Sequence, residues 1–141
     1  MSLTRMEMDR AVDEHFKYEA EDDIEGVLST LAADVTHDIV GWPAGPTQGR
    51  ENARPFYEAL FADLTESTAA TVKRLYGENF VVDESFVEFK AVGRPFGVEG
   101  KGRTVRTRLL HVIEFASDGM IKRENAWIDM AALMQQLSPG A

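Results

Sequence analysis

The apolar positions in the first quarter of the chain recur at helical spacing. Met8, Val12, Phe16 and Ala20 form one stripe, and Ile24, Val27, Leu28 and Leu31 form a second. The acidic run Glu21-Asp22-Asp23 separates them, and Asp22 or Asp23 suits the N-cap of the second helix. This predicts two helices with a tight corner between Asp9 and Ala33. A short strand, Val35 to Val40, follows. The glycines and prolines of Gly41-Trp42-Pro43-Ala44-Gly45-Pro46 then favour neither helix nor sheet. After Gly49 a third helix carries Phe56, Tyr57, Leu60 and Leu64 on its apolar face. Pro55 removes one of its backbone hydrogen bonds, which predicts a proper start only near Arg54.

The second half changes period. Thr68 to Tyr76, Phe80 to Val92, Val105 to Ala116 and Met120 to Asp129 are rich in β-branched and aromatic residues. Gly77-Glu78-Asn79 and Ser117-Asp118-Gly119 are turn segments, and Asp118-Gly119 is a hairpin signal. A last helix from Met130 bears Leu133, Met134 and Leu137 and stops at Pro139-Gly140. Helices first and strands afterwards indicate an α+β fold, with helices covering one face of a curved antiparallel sheet.

The last hairpin predicts which side chains share a face. With Asp118-Gly119 as the turn, Ser117 pairs with Met120, Glu114 lies opposite Arg123, and Arg108 lies opposite Asp129. The other face carries Leu109, His111, Ile113 and Phe115 on one strand. On the next it carries Lys122, Glu124, Ala126 and Ile128. His111 and Glu124 are then diagonal neighbours on an apolar face. A histidine and a carboxylate there are costly unless paired or used. Either they hydrogen-bond each other as a structural pair, or they form a pocket dyad with Glu124 as base or as the orienter of His111. An apolar pocket is expected to raise the carboxylate's pKa toward neutrality.

Composition narrows the function. The chain's 141 residues suit a single domain with one core. Its net charge of −9 disfavours nucleic acid and anionic membrane as partners. The absence of cysteine excludes a disulfide scaffold, a thiol nucleophile and a cysteine-held metal. No apolar run approaches the roughly 18 residues of a membrane span. The N-terminus shows no secretory pattern, and a cytoplasmic location is expected.

Several segments together resemble a known family. His37-Asp38 follows a strand, and Gly49-Arg50-Glu51-Asn52 opens the third helix. Arg108 to Phe115 leads into Asp118-Gly119-Met120-Ile121. Arg123-Glu124-Asn125-Ala126-Trp127-Ile128-Asp129 is followed by Ala132-Leu133 and Gln136-Leu137. These resemble the SnoaL-like branch of the NTF2-like superfamily, which holds polyketide cyclases, ester cyclases and steroid isomerase relatives. The resemblance runs from about Asp9 to Leu137 and implies a cone with a deep pocket and a homodimer packed through the outer sheet. It also implies a carboxylate at the position of Ala126, from which this chain departs, and a histidine often stands where Glu124 is.

The expected activity is acid–base isomerisation or cyclisation of a small, mostly apolar carbonyl compound, with Glu124 and His111 catalytic. The alternatives are a non-catalytic small-ligand binding or accessory domain, and an epoxide or ester hydrolase. Further ligand-binding candidates are Phe16, Tyr57 and Ile113, together with His37, which shares the face of Val35 and Ile39. Trp42 is a candidate wall at the pocket mouth, and Phe96 is a candidate lid in the glycine-rich connection Gly93 to Gly102. His37 also suits a structural bond to a carboxylate, and Trp42 also suits a core plug. No cofactor is expected, and the spacing of His15, His37 and His111 matches no metal-binding motif. An outward row of Leu110, Val112 and Trp127 suits the homodimer contact.

Overall fold

The structure is a computed structural model and describes residues 2–138. Helix α1 spans Arg5–Ala20 and opens with a capping box. The Thr4 hydroxyl accepts from the Glu7 N–H, and the Glu7 carboxylate accepts from the Thr4 N–H, both at 3.1 Å. Asp23 caps α2 (Ile24–Ser29) through the Gly26 N–H at 2.9 Å.

Strand β1 covers Leu31–Val40, so Leu31 leaves the helix that its spacing suggested. The Ile121 N–H donates to the Thr30 carbonyl at 3.0 Å, and Leu31 pairs with Ile121. That long-range pairing overrides the helical preference of Leu31-Ala32-Ala33. A two-residue β2 (Thr47–Gln48) leads to α3 (Arg50–Asp63), which begins ahead of Pro55. Proline costs α3 one N–H. The carbonyl it would have bonded belongs to Glu51, an exposed residue. Leu64 opens β3 (Leu64–Gly77) and does not extend the apolar face of α3. The chain continues through β4 (Phe80–Ala91), β5 (Arg103–Phe115), β6 (Ile121–Ile128) and α4 (Met130–Leu137). The predicted stop at Pro139-Gly140 lies outside the described residues.

The six strands form one sheet in the order β2-β1-β6-β5-β4-β3. The strands from β3 to β6 pair antiparallel, as expected. β1 runs parallel to β6, so the sheet is mixed and not wholly antiparallel. The crossover from β1 through α3 to the later strands permits this direction. α1, α2 and α3 bury Met8, Val12, Val27, Leu28 and Tyr57 against Val81, Ile113, Phe115 and Ile121 of the sheet. α4 closes the other end on Leu64, Ala91 and Val105. Within the connection from β4 to β5, Gly100 approaches β4 closely. A Cβ there would meet the Ala91 carbonyl at 2.3 Å.

The last hairpin keeps the predicted faces by a different route. Ala116, not Ser117, bonds Met120, at 2.8 Å, and Gly119 sits at φ 90° in a three-residue turn. Phe115 pairs with Ile121, and Lys122 is then an extra residue that restores Glu114 opposite Arg123. Lys122 is therefore exposed, and Ile121 takes the inward position expected for it. Beyond the bulge, Leu109, His111 and Ile113 share the inner face with Glu124, Ala126 and Ile128. No helix among the described residues is long and apolar enough to cross a membrane.

Candidate active site

The helices and the inner face of the sheet enclose a cavity of about 110 Å³. Its wall is aromatic, with Phe16 from α1, Phe56 and Phe61 from α3, Phe89 from β4, and Trp42 and Phe96 from loops. Trp42 meets both Phe56 and Phe96 edge-on, at 4.8 and 4.9 Å between ring centres. Trp42 and Phe96 are half-exposed, so this pair stands where the cavity meets solvent. The short turn Pro95–Gly97 holds Phe96 at φ 56°.

Glu124 is the polar centre of the wall and is 1% exposed. Its Oε1 lies 2.9 Å from His15 Nε2 and 3.6 Å from His111 Nε2. Its Oε2 accepts from the Tyr57 hydroxyl at 2.7 Å and lies 3.4 Å from His37 Nε2. The chain's three histidines thus converge on one carboxylate.

The network assigns protons. The Thr30 hydroxyl donates to the Val27 carbonyl at 2.6 Å, so its oxygen accepts from His15 Nδ1–H at 2.7 Å. His15 Nε2 faces two carboxylates, Glu124 at 2.9 Å and Glu19 at 2.8 Å, and must carry a proton as well. His15 is therefore an imidazolium. Burial alone would push its pKa down, but the charges of Glu124 and Glu19 raise it to about 10. Burial likewise pushes the Glu124 carboxyl up. The His15 charge, with hydrogen bonds from the histidines, outweighs this and holds Glu124 well below the usual carboxylate range. This corrects the expectation of a carboxylate raised toward neutrality. An acid so stabilised as its anion is a weak base. Burial, and then the charges of Glu124 and Glu19, push the Tyr57 hydroxyl well above its ordinary value, so it remains a donor.

His111 differs from the other two rings. It lines the cavity, meets Phe16 at a 49° tilt with 5.0 Å between ring centres, and is 3% exposed. Its Nδ1 is buried and has no hydrogen-bond partner among the described residues. Because Nε2 faces an ionised carboxylate, the neutral ring keeps its proton on Nε2 and leaves Nδ1 as the acceptor.

Of the residues singled out in the sequence, Glu124, His111, Phe16, Trp42 and Phe96 line the cavity. His37, Tyr57 and Ile113 do not. Ile113 is sealed in the core under the helices. The Tyr57 hydroxyl is spent on Glu124, and His37 Nε2 stands 3.2 Å behind that hydroxyl. Sequence reasoning missed His15 and Glu19. The signal was present, since residues four apart on α1 share the face of Phe16 and Ala20. His15, Glu19 and Glu124 place donor atoms within 4.8 Å of one another. A cation there would have to displace the His15 proton, so the set reads as an ion-pair cluster. Ala126 also lines the cavity and brings only a methyl group to its wall.

The comparisons with known proteins agree with this architecture. The SnoaL-like polyketide cyclase family matches residues 7–137. A putative SnoaL-like polyketide cyclase from Jannaschia sp. CCS1 superposes with a TM-score of 0.84 at 16% identity, over 100% of this chain and 99% of that one. A putative polyketide cyclase from Xanthomonas campestris pv. campestris gives 0.83 at 19% identity, over 95% and 98%. An LEH-like epoxide hydrolase from M. tuberculosis gives 0.72 at 17% identity, over 94% and 90%. No curated protein matches the sequence. Fold, curved mixed sheet, aromatic cavity and sequence match together lead to one conclusion: the chain belongs to the SnoaL-like polyketide cyclase family.

Proposed function

We propose that the protein catalyses proton transfer on a small, mostly apolar carbonyl compound, as an isomerase or cyclase, with His111 as the base. The observation that carries this reading is the cavity-lining His111 ring, with an unpartnered Nδ1 and with Nε2 directed at ionised Glu124. Nδ1 takes a proton from the carbon next to the carbonyl, and the C–H electrons move onto the carbonyl oxygen. Glu124 favours the imidazolium that forms and holds the ring's tautomer. Return of the proton to another carbon completes an isomerisation, and attack of the carbanion within the substrate closes a ring. Aromatic rings around the site favour an apolar ligand body.

Deuterium wash-in tests the reading without the natural substrate. The protein is incubated with 2-tetralone in D2O, and loss of the protons next to the carbonyl is followed by NMR. Wild-type protein should accelerate exchange, and His111→Ala should lose at least about 100-fold of that acceleration. A catalysed rate that His111→Ala leaves unchanged would sink the catalytic role.

A second reading, a non-catalytic binding domain, is favoured by Ala126, which offers a methyl group where the family pattern has a carboxylate. It predicts saturable binding of 2-tetralone with no exchange. We also propose a homodimer through the outer sheet face, where Leu110 and Trp127 are 38% and 41% exposed beside half-buried Val112. Sedimentation velocity should show a dimer at micromolar concentration, and Trp127→Glu should shift it to monomer.

A further inference from the structure

The charge on the cavity wall is unbalanced. Glu124 and Glu19 both line the cavity, and the single buried cation between them is His15. Two carboxylates and one imidazolium leave one negative charge. Among the described residues no lysine or arginine lines the cavity to cancel it. Glu19 is the accessible member, with 22% of its side chain exposed, against 1% for Glu124.

The hydrogen-bonding character of the wall has the same sense. His111 Nδ1 is an unpartnered acceptor. The Ser85 hydroxyl, on the wall, donates inward to Asp83, and the Thr107 hydroxyl donates to the Asp129 carbonyl at 3.2 Å. Both therefore offer the cavity lone pairs. Ser67 and Trp42 supply the remaining side-chain donors of the wall. The groups clustered at Glu124 thus ask for a donor, and the net charge asks for a cation. Six aromatic side chains line the same cavity, and an aromatic face attracts a desolvated cation.

We infer that the cavity selects ligands carrying a protonated amine with a free N–H, held by Glu19 within the aromatic wall. The ammonium N–H donates to the Glu19 carboxylate, which leaves His111 free as the base, and its charge offsets the surplus of the Glu19–His15–Glu124 group. The inference deepens the proton-transfer reading and rests on it for its catalytic consequence. In a wall short of donors, the substrate's own ammonium would supply the positive charge that a forming enolate oxygen needs.

The test is binding alone, so it is independent of turnover. Three probes of nearly one shape are compared by NMR titration at pH 7. Benzyldimethylamine is protonated and keeps one N–H, benzyltrimethylammonium is charged without an N–H, and isobutylbenzene is neutral. The expected order of affinity is the same as that list, with about tenfold or more between first and last. Glu19→Gln should bring the charged and neutral probes to within about threefold of each other. It should leave isobutylbenzene binding unchanged, which also reports an intact cavity. Isobutylbenzene binding as tightly as the amine would overturn the inference, and so would a cation preference that survives Glu19→Gln. Failure here with His111-dependent exchange of 2-tetralone intact would refute only the amine preference. Amine binding without any exchange would refute only the proton-transfer reading.

Discussion

Two carboxylates are buried on strands of the one sheet, and their surroundings differ in kind. Asp83, on β4, is fully buried. It accepts from Arg74 Nε at 2.9 Å, from the Thr71 hydroxyl at 2.9 Å, and from Ser85. Arg74 extends the network to Asp9 and Asp13 of α1 at 2.8 and 3.0 Å, and so ties that helix to the sheet. Glu124, on β6, is as deeply buried, but its partners are histidines and a tyrosine. An arginine keeps its charge at every accessible pH, whereas a histidine exchanges its proton near neutrality. The Asp83 cluster is thus a fixed tie. The Glu124 cluster is built from groups that can exchange protons, and one of them, the cavity-lining His111, has a buried Nδ1 with no partner among the described residues.

Removing one partner from each cluster separates their roles. Arg74→Ala leaves Asp83 buried without its cation and should cost about 3–5 kcal/mol of stability. Deuterium exchange by the protein that remains folded should change by less than about threefold. Glu124→Gln should cost a similar ~3–5 kcal/mol, because buried His15 loses its main counter-charge. It should also abolish exchange. Denaturant unfolding at pH 7 beside exchange rates makes the comparison, and an Arg74→Ala protein that is stable but inactive would reverse it.

The next effect in size is pH dependence. His15 has a folded pKa of about 10 against an ordinary 6.5, with Glu124 and Glu19 as its facing charges. A raised folded pKa gives stabilisation that is complete below pH 6.5 and is lost as pH rises through about 10. Wild-type stability should therefore fall by about 3 kcal/mol between pH 6.5 and 9 on this group's account. His15→Gln should lack that slope. An identical slope in both proteins would show that His15 is not held as an imidazolium. Tyr57→Phe is smaller, at about 2 kcal/mol, since it removes one hydrogen bond to an ionised group.

The sequence revealed the inner face of the last hairpin more readily than its turn. Asp118-Gly119 and the Glu114–Arg123 pair located His111 and Glu124 together, and they do share a face. The bulge at Lys122 was invisible, because two errors of one residue cancel: a turn one residue longer and one extra residue in β6. The start of β1 was also hidden, since Leu31-Ala32-Ala33 has helical spacing and only contact with Ile121 makes it strand. His15 was the largest omission at the site. It reaches a carboxylate 109 positions away, and no local periodicity encodes that distance. Its i,i+4 relation to Glu19 was legible, but the pair reads equally as a solvated helix face until Glu124 packs against it.

The most direct measurement is the protonation of the histidine rings by long-range 1H–15N NMR at pH 8. We expect His15 to carry protons on both nitrogens, because Nδ1 faces the Thr30 acceptor and Nε2 faces the two carboxylates Glu124 and Glu19. We expect His111 to carry its proton on Nε2, facing Glu124, with no proton on the unpartnered Nδ1. A His111 ring protonated on Nδ1, or a His15 ring with one bare nitrogen, would contradict the account.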